Sequence, residues 1–237
     1  MYKVSLAAVN VPEETYDGML LALRAGKIGQ TDIIDDFEKA IAEYVHAPHC
    51  IAISNGTMAD AVAVAAMKAY LPRPIRRVIV PALTFIAQPN SVRYNNLEVD
   101  FVDVHEDWTL DMDTLQDQTP DFIIFATDLM GRQATGFFDI EDACESFASQ
   151  FDGAFAGTYG GLGTYSFFPS HTISTGEGGA IVTDDPELDK LCRSIRAHGS
   201  GSSDPMDKFH FPNFGFNARI TSLQCVLGIA LMKHITE

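Results

Sequence analysis

Residues 49–70, HCIAISNGTMADAVAVAAMKAY, predict a short strand that turns directly into an alanine-rich helix. Further strands are predicted at 77–80, 97–104, 121–127, 137–141, 163–168 and 179–183. Further helices are predicted at 12–26, around 33–44, at 186–197 and at 219–235. Strands that alternate with helices predict an α/β domain with a mostly parallel central sheet flanked by helices.

The charge of the chain excludes several classes of partner. Among 237 residues, 16 Lys+Arg stand against 32 Asp+Glu, a net charge of −16. Such an acidic chain repels phosphate backbones and anionic lipid, so neither nucleic acid nor a membrane is predicted as a partner. No apolar stretch reaches the roughly 18–20 residues of a membrane span, and the first ten residues lack the apolar block of a signal peptide. The four scattered cysteines are expected to be reduced core thiols, which predicts a cytoplasmic protein without a cysteine metal site.

Three local features predict candidate functional residues near the ends of strands. Gly56 and Thr57 lie where a strand turns into a helix, whose free amides and positive dipole end suit a phosphate. Asp142 follows a buried apolar run, at the strand end where open α/β sheets bind ligands, although a helix cap is an equal alternative. Residues 166–179, SFFPSHTISTGEGG, place His171 between a proline and a glycine-rich turn.

Six motifs together resemble the DegT/StrS family of sugar aminotransferases, which have the type I fold of pyridoxal-phosphate enzymes. In chain order they are VHAPHCIAISNGT, VIVPALTFIA, DIEDACES, TYSFFPSH, TGEGGAIVTDD and FGFNARITSLQ. The resemblance implies that residues 1–237 form the large domain that binds pyridoxal phosphate or pyridoxamine phosphate. It also implies that the C-terminal small domain of the family is missing from this chain.

The resemblance also implies a role for each matching residue. Amides of Gly56 and Thr57, with the hydroxyl of Ser166, would hold the cofactor phosphate, and Phe85 would stack on the pyridine ring. Asp142 would pair with the protonated ring nitrogen and so keep the ring an electron sink. The two remaining matches are Glu145, near the ring hydroxyl, and Asn217, which would reach the phosphate of a partner subunit across a homodimer interface.

His171 is the main departure from the aminotransferase pattern. In the aminotransferases this position holds the lysine that binds the cofactor covalently, and no lysine occurs anywhere from 69 to 189. An imidazole cannot form that bond, so a non-covalently bound cofactor is expected. With an ordinary pKa of about 6.5, the imidazole can still act as a general base near neutral pH.

The same histidine resembles a branch of the family that dehydrates nucleotide-linked 4-keto-6-deoxyhexoses at carbon 3. These enzymes use pyridoxamine phosphate, and the histidine takes a proton from the cofactor methylene while the neighbouring hydroxyl leaves. The leading hypothesis is therefore a dehydratase of a nucleotide-sugar substrate. Two alternatives stay open, a pyridoxal-phosphate-dependent sugar aminotransferase and a truncated, catalytically inactive relative or fragment.

The connection after the predicted strand at 121–127 is unusually short. Only nine residues, 128–136, separate it from the strand predicted at 137–141, whereas parallel neighbours usually need a helical crossover. Fully extended, nine residues reach about 30 Å, which allows a return along the sheet but no helix. Phe122, Ile124, Phe138 and Ile140 therefore include residues that are expected to lose their cover and face solvent or a partner on one side. The alternative is that 137–140 is not a parallel strand.

Overall fold

One seven-stranded sheet organises the fold in the computed structural model, which describes residues 9–114, 119–201 and 209–235. The strands, in chain order, are β1 (His49–Ile53), β2 (Arg77–Pro81), β3 (Glu98–Val102), β4 (Phe122–Thr127), β5 (Ile140–Asp142), β6 (Gln150–Phe151), β7 (Ala154–Phe155), β8 (Leu162–Ser166) and β9 (Gly179–Thr183). The helices are α1 (Glu14–Arg24), α2 (Asp32–Val45), α3 (Gly56–Tyr70), α4 (Ala87–Tyr94), α5 (Pro186–Arg196) and α6 (Ser222–Lys233). β6 and β7 pair with each other outside the main sheet.

The sheet is mainly parallel, as the sequence predicts. Its spatial order is β1-β9-β8-β5-β4-β2-β3. Neighbours from β8 through to β3 are parallel, and β9 runs antiparallel to both β8 and β1. The carboxyl ends of every sheet strand except β9 therefore meet along one side of the sheet, called here the carboxyl edge. In open α/β sheets this edge is where ligands bind.

Helices cover both faces of the sheet. In β1, Ile51 and Ile53 pack against α3 and α5, whereas Cys50 and Ala52 pack against α2 and α6. This alternation is the period of two that a strand covered on both faces requires. Small alanine side chains let α3 lie close to the sheet along most of its surface.

Local signals end the helices close to the predicted positions. Gly26 adopts a left-handed φ of +68° directly after α1, and the hydroxyl of Thr31 accepts a hydrogen bond from the amide of Ile33 at the start of α2. Thr221 and Gln224 cap α6 reciprocally. None of the helices within the described ranges is long and apolar enough to cross a membrane.

The short connection after β4 contains only a 3-10 turn, Leu129–Gly131, and no helix lies between it and β5. The expectation of an exposed strip is nevertheless wrong, because Ile124 and Phe138 are only 7% and 6% exposed. Ala134, from the return itself, and Leu110, from the segment after β3, pack in the same cluster. The return therefore supplies its own apolar cover, and the strand predicted at 137–141 shortens to Ile140–Asp142.

Two fully buried carboxyls anchor this return. Asp128 Oδ1 accepts a hydrogen bond of 2.7 Å from the amide of Ala134, and Glu141 Oε2 accepts one of 2.9 Å from the amide of Tyr159. The other oxygens, Oδ2 of Asp128 and Oε1 of Glu141, have no hydrogen-bond donor in the described structure. Burial, and next the charge of Glu141, raise the pKa of Asp128 to about 8. A proton held by Asp128 satisfies both oxygens at once.

Candidate active site

The first turn of α3 offers two free backbone donors at the carboxyl edge. Asn55 caps the helix, and its side-chain oxygen accepts a hydrogen bond of 2.9 Å from the amide of Met58. No described residue accepts a hydrogen bond from the amides of Gly56 and Thr57. Two unpaired amides at the positive end of a helix dipole make a site for an anionic group such as a phosphate.

Ser166, at the end of β8, closes one side of this turn. A Cβ atom built on Gly56 would lie 2.7 Å from Cβ of Ser166 and 3.2 Å from Sγ of Cys144. Only glycine allows this approach, because real Cβ atoms do not come so close to a neighbouring side chain. The fold thus brings together Gly56, Thr57 and Ser166, the three residues that the sequence assigns to a phosphate.

Asp142 ends β5 at the same edge, beside the end of β8. It is 6% exposed, and Oδ1 accepts a hydrogen bond of 3.1 Å from the amide of Cys144. Burial raises the pKa of Asp142, although the hydrogen bonds from Cys144 oppose the rise. A cation placed against this carboxylate would offset the cost of burial, so the residue fits a protonated ring nitrogen.

Glu145 and His171 interact electrostatically with each other. Glu145 Oε2 accepts a hydrogen bond of 2.6 Å from the amide of Met130, and its negative charge favours the protonated form of His171. Partial burial lowers the pKa of His171 by more than the charge of Glu145 raises it, so this pKa lies below its ordinary value of 6.5. The imidazole is therefore mainly neutral at pH 7 and is able to accept a proton.

Phe85 lies at the carboxyl edge, and its ring is open to solvent. It follows β2 in a loop that a hydrogen bond of 3.2 Å between the hydroxyls of Thr84 and Thr127 fixes to the end of β4. The Phe85 side chain is 67% exposed, so it packs against little in this chain. An exposed ring at this position is available to cover a flat ligand.

Asn217 is close to the α3 turn in the fold, and its side chain bonds to Arg219. The carbonyl of the next residue, Ala218, accepts a hydrogen bond of 2.8 Å from the amide of Ser54. Asn217 itself is exposed, and its side-chain oxygen accepts a hydrogen bond of 3.0 Å from Nε of Arg219. The predicted contact with a partner subunit stays a prediction.

Sequence reasoning missed the residues behind Asp142. Asp60, on α3, is 1% exposed and accepts a hydrogen bond of 2.7 Å from the hydroxyl of Thr164. The sequence carried one sign of it, a single acidic residue inside the otherwise small and apolar run ADAVAVAA. Its partner lies 104 positions away, so the contact could not be read from local spacing.

The residues brought together fit a pyridoxal-type cofactor. The free amides and the hydroxyl suit the phosphate of the cofactor. The buried carboxylate suits its protonated ring nitrogen, and the exposed aromatic ring suits its flat face. These groups come from the ends of β1, β2, β5 and β8, and they meet only because those strands are parallel.

Comparison with known proteins identifies relatives over nearly the whole chain. The model of the DegT/DnrJ/EryC1/StrS aminotransferase family matches residues 11–237. The chain is 33% identical over 251 residues to the GDP-perosamine synthase of Caulobacter vibrioides, a match that covers 99% of this chain and 66% of that protein. It is 29% identical over 266 residues to the GDP-4-keto-6-deoxy-D-mannose 3-dehydratase of Yersinia pseudotuberculosis, a match that covers 99% of this chain and 68% of that protein.

Solved structures share the fold. The E. coli GDP-4-keto-6-deoxy-D-mannose-3-dehydratase with bound hydrated PLP superposes with a TM-score of 0.86 at 25% identity, covering 100% of this chain and 69% of that one. A GDP-4-keto-6-deoxymannose-3-dehydratase with a trapped PLP-glutamate geminal diamine superposes with a TM-score of 0.88 at 26% identity, covering 99% of this chain and 69% of that one. The chain thus spans about two thirds of the length of these relatives, and the predicted fold of pyridoxal-phosphate enzymes is confirmed. This chain belongs to the DegT/DnrJ/EryC1/StrS aminotransferase family.

Proposed function

We propose that this chain is the cofactor-binding part of a pyridoxamine-phosphate-dependent dehydratase that acts on a nucleotide-linked 4-keto-6-deoxyhexose. The observation that carries the proposal is His171, a neutral imidazole at the position where the aminotransferases hold their lysine. Lys68 and Lys190, the nearest lysines on either side, bond to the carbonyl of Asn95 and the carboxylate of Glu187 instead.

Each candidate residue has a binding task in this proposal. Gly56, Thr57 and Ser166 hold the phosphate of a non-covalently bound pyridoxamine phosphate or pyridoxal phosphate. Asp142 stabilises the protonated ring nitrogen, and Glu145 lies near the ring hydroxyl. The exposed ring of Phe85, placed by the loop after β2, covers the face of the pyridine and excludes water from it.

Pyridoxamine phosphate, when bound, supplies an amine that condenses with the keto group and a ring that accepts electrons. His171 supplies the base. Its neutral imidazole would take a proton from the cofactor methylene carbon, and the resulting imidazolium holds the proton that the hydroxyl on sugar carbon 3 needs in order to leave as water. The lowered pKa of His171 supports this role, because it keeps the imidazole unprotonated at neutral pH.

We further propose that the protein is a cytoplasmic homodimer with a shared site. Asn217 is exposed beside the α3 turn, and its side-chain amide nitrogen would donate to the phosphate bound by a second subunit. Four free cysteines, three of them buried, suit a reducing compartment.

A sugar aminotransferase is the second candidate, because the 33% identical relative is a GDP-perosamine synthase. The purified chain is to be incubated with pyridoxamine phosphate, glutamate and GDP-4-keto-6-deoxymannose, and the sugar is to be followed by mass spectrometry. Loss of water that His171→Gln abolishes supports the dehydratase. Transfer of an amino group from glutamate to the sugar supports the aminotransferase instead, and cofactor binding without either reaction indicates an inactive relative.

A further inference from the structure

Behind Asp142 lies a second carboxyl that the proposed function does not use. Asp60 is one helical turn beyond Gly56 in α3, and its Oδ1 accepts a hydrogen bond of 2.7 Å from Oγ1 of Thr164. Thr164 stands opposite Asp142 in the pairing of β5 with β8. Helix α3, which carries the phosphate turn, therefore meets β8 at Asp60, next to the position of Asp142 on the neighbouring strand β5.

The two carboxyls are too close for both to be charged. One oxygen of Asp60, one of Asp142 and Sγ of Cys144 all lie within 4.8 Å of one another. At 1% and 6% exposure, little water reaches either carboxyl to screen their repulsion. None of the described groups that act on Asp60 is cationic. One proton held between the pair removes the repulsion.

The surroundings place that proton on Asp60. Asp142 receives hydrogen bonds from both the amide and the thiol of Cys144, which favour its ionised form, and it is the more exposed of the two. Asp60 receives a single hydroxyl donor from Thr164. Burial, and next the charge of Asp142, raise the pKa of Asp60 well above its ordinary value.

We propose that Asp60 is a positioning residue of the cofactor site, which stays protonated and leaves Asp142 as the single negative charge opposite the ring nitrogen. The inference rests on the proposed function, since it takes Asp142 to be the partner of that nitrogen. A neutral acid at position 60 keeps the hydroxyl of Thr164 bonded and adds an O–H donor beside Asp142. A neutral acid at this position therefore adds no second negative charge beside Asp142.

The proton is tested first in the cofactor-free protein by infrared difference spectroscopy at pH 7. Asp60→Asn should remove one stretching band of a protonated carboxyl, and this loss should not coincide with the band removed by the control variant Asp128→Asn. Loss of carboxylate bands on Asp60→Asn shows that Asp60 is ionised and overturns the inference. Urea unfolding of each variant confirms that it is folded before its spectrum is compared.

The positioning role is tested by titrating each variant with pyridoxal phosphate. Asp60→Ala should weaken binding by about five- to tenfold, the loss of roughly one hydrogen bond, and should move the pH at which the bound cofactor changes absorbance. Asp60→Asn, which keeps an acceptor and a donor, should recover most of that affinity. The inference is wrong if Asp60→Ala binds with the wild-type affinity and pH profile.

A wild-type chain that binds neither pyridoxal phosphate nor pyridoxamine phosphate refutes the proposed function and, with it, the positioning role. The infrared result then still decides whether Asp60 carries a proton, so the two failures can be told apart. Should Asp60→Ala not fold, the comparison of Asp60→Asn with the wild type still separates a neutral acid from a charged one. Replacing a charged carboxylate that close to Asp142 by an amide would shift the cofactor titration strongly, whereas replacing a neutral acid by an amide, which keeps a donor and an acceptor, would not.

Discussion

Replacing Asp128 by asparagine should stabilise the fold in mildly alkaline solution. Asp128 and Glu141 are both fully buried and face each other with two oxygens that lack donors when both groups are ionised. In Asp128→Asn, the amide nitrogen can donate to Glu141 while the amide oxygen still accepts from the amide of Ala134. The variant therefore mimics the protonated acid at every pH.

The size of the effect follows from the pKa of Asp128, which rises from an ordinary 3.8 to about 8 in the folded protein. Because the folded state holds a proton that the unfolded state has lost, its contribution to stability is complete below about pH 4 and is lost as the pH rises towards 8. Each pH unit in that window lowers the free energy of unfolding by about 1.4 kcal/mol. Between pH 6 and pH 8, Asp128 alone should cost the wild type about 2 kcal/mol.

Urea unfolding at pH 6 and pH 8 measures this difference. The free energy of unfolding of Asp128→Asn, relative to the wild type, should rise by about 2 kcal/mol between the two pH values, because the contributions of groups that do not interact with Asp128 cancel. The matched control is Asp36→Asn, at an exposed position, which should keep the wild-type pH dependence. Equal pH dependence in the wild type and Asp128→Asn would show that the buried pair holds no proton.

Four further predictions concern the site. Borohydride treatment with pyridoxal phosphate should leave the intact mass of the chain unchanged, and an adduct on any lysine would revive the aminotransferase hypothesis. Gly56→Ala should weaken cofactor binding and lower the urea midpoint, since its Cβ would lie 2.7 Å from Cβ of Ser166; wild-type values for both would refute the close approach. Asn217→Ala should weaken cofactor binding by about 1–2 kcal/mol, one hydrogen bond to a charged group, and a monomer that binds cofactor tightly in sedimentation would contradict the shared site. The acid limb of the pH–rate profile should lie below pH 6.5, because burial lowers the pKa of His171 and the neutral base persists to lower pH; a limb above 6.5 would argue against His171 as the base.

The mainly parallel sheet and the positions of Gly56 and Asp142 could be predicted because both depend on local patterns. Apolar runs mark buried strands, and a strand that turns into a helix places its last residues at the carboxyl edge. The cover over Ile124 and Phe138 could not be predicted in this way, because it comes from a return segment that lies back across the sheet.

The carboxyls behind the site were missed for a related reason. Thr164 lies 104 positions after Asp60 in the chain, and the spacing of a lone acidic residue in a helix does not tell a buried side chain from a solvated one. The roles assigned to Phe85 and Asn217 stay open for a different reason. Both side chains are exposed, so contacts with a ligand or another subunit decide what they do.

The antiparallel strand β9 has a consequence for how the protein is made. It lies between β1 and β8, so these two strands, which end at the phosphate turn and at Ser166, are joined in the sheet only through it. A ribosome synthesises β9 after both of its neighbours, and His49 of β1 pairs with Thr183. A nascent chain can therefore form α3 early, but β1 and β8 are joined within the sheet only after residues 179–183 have been synthesised.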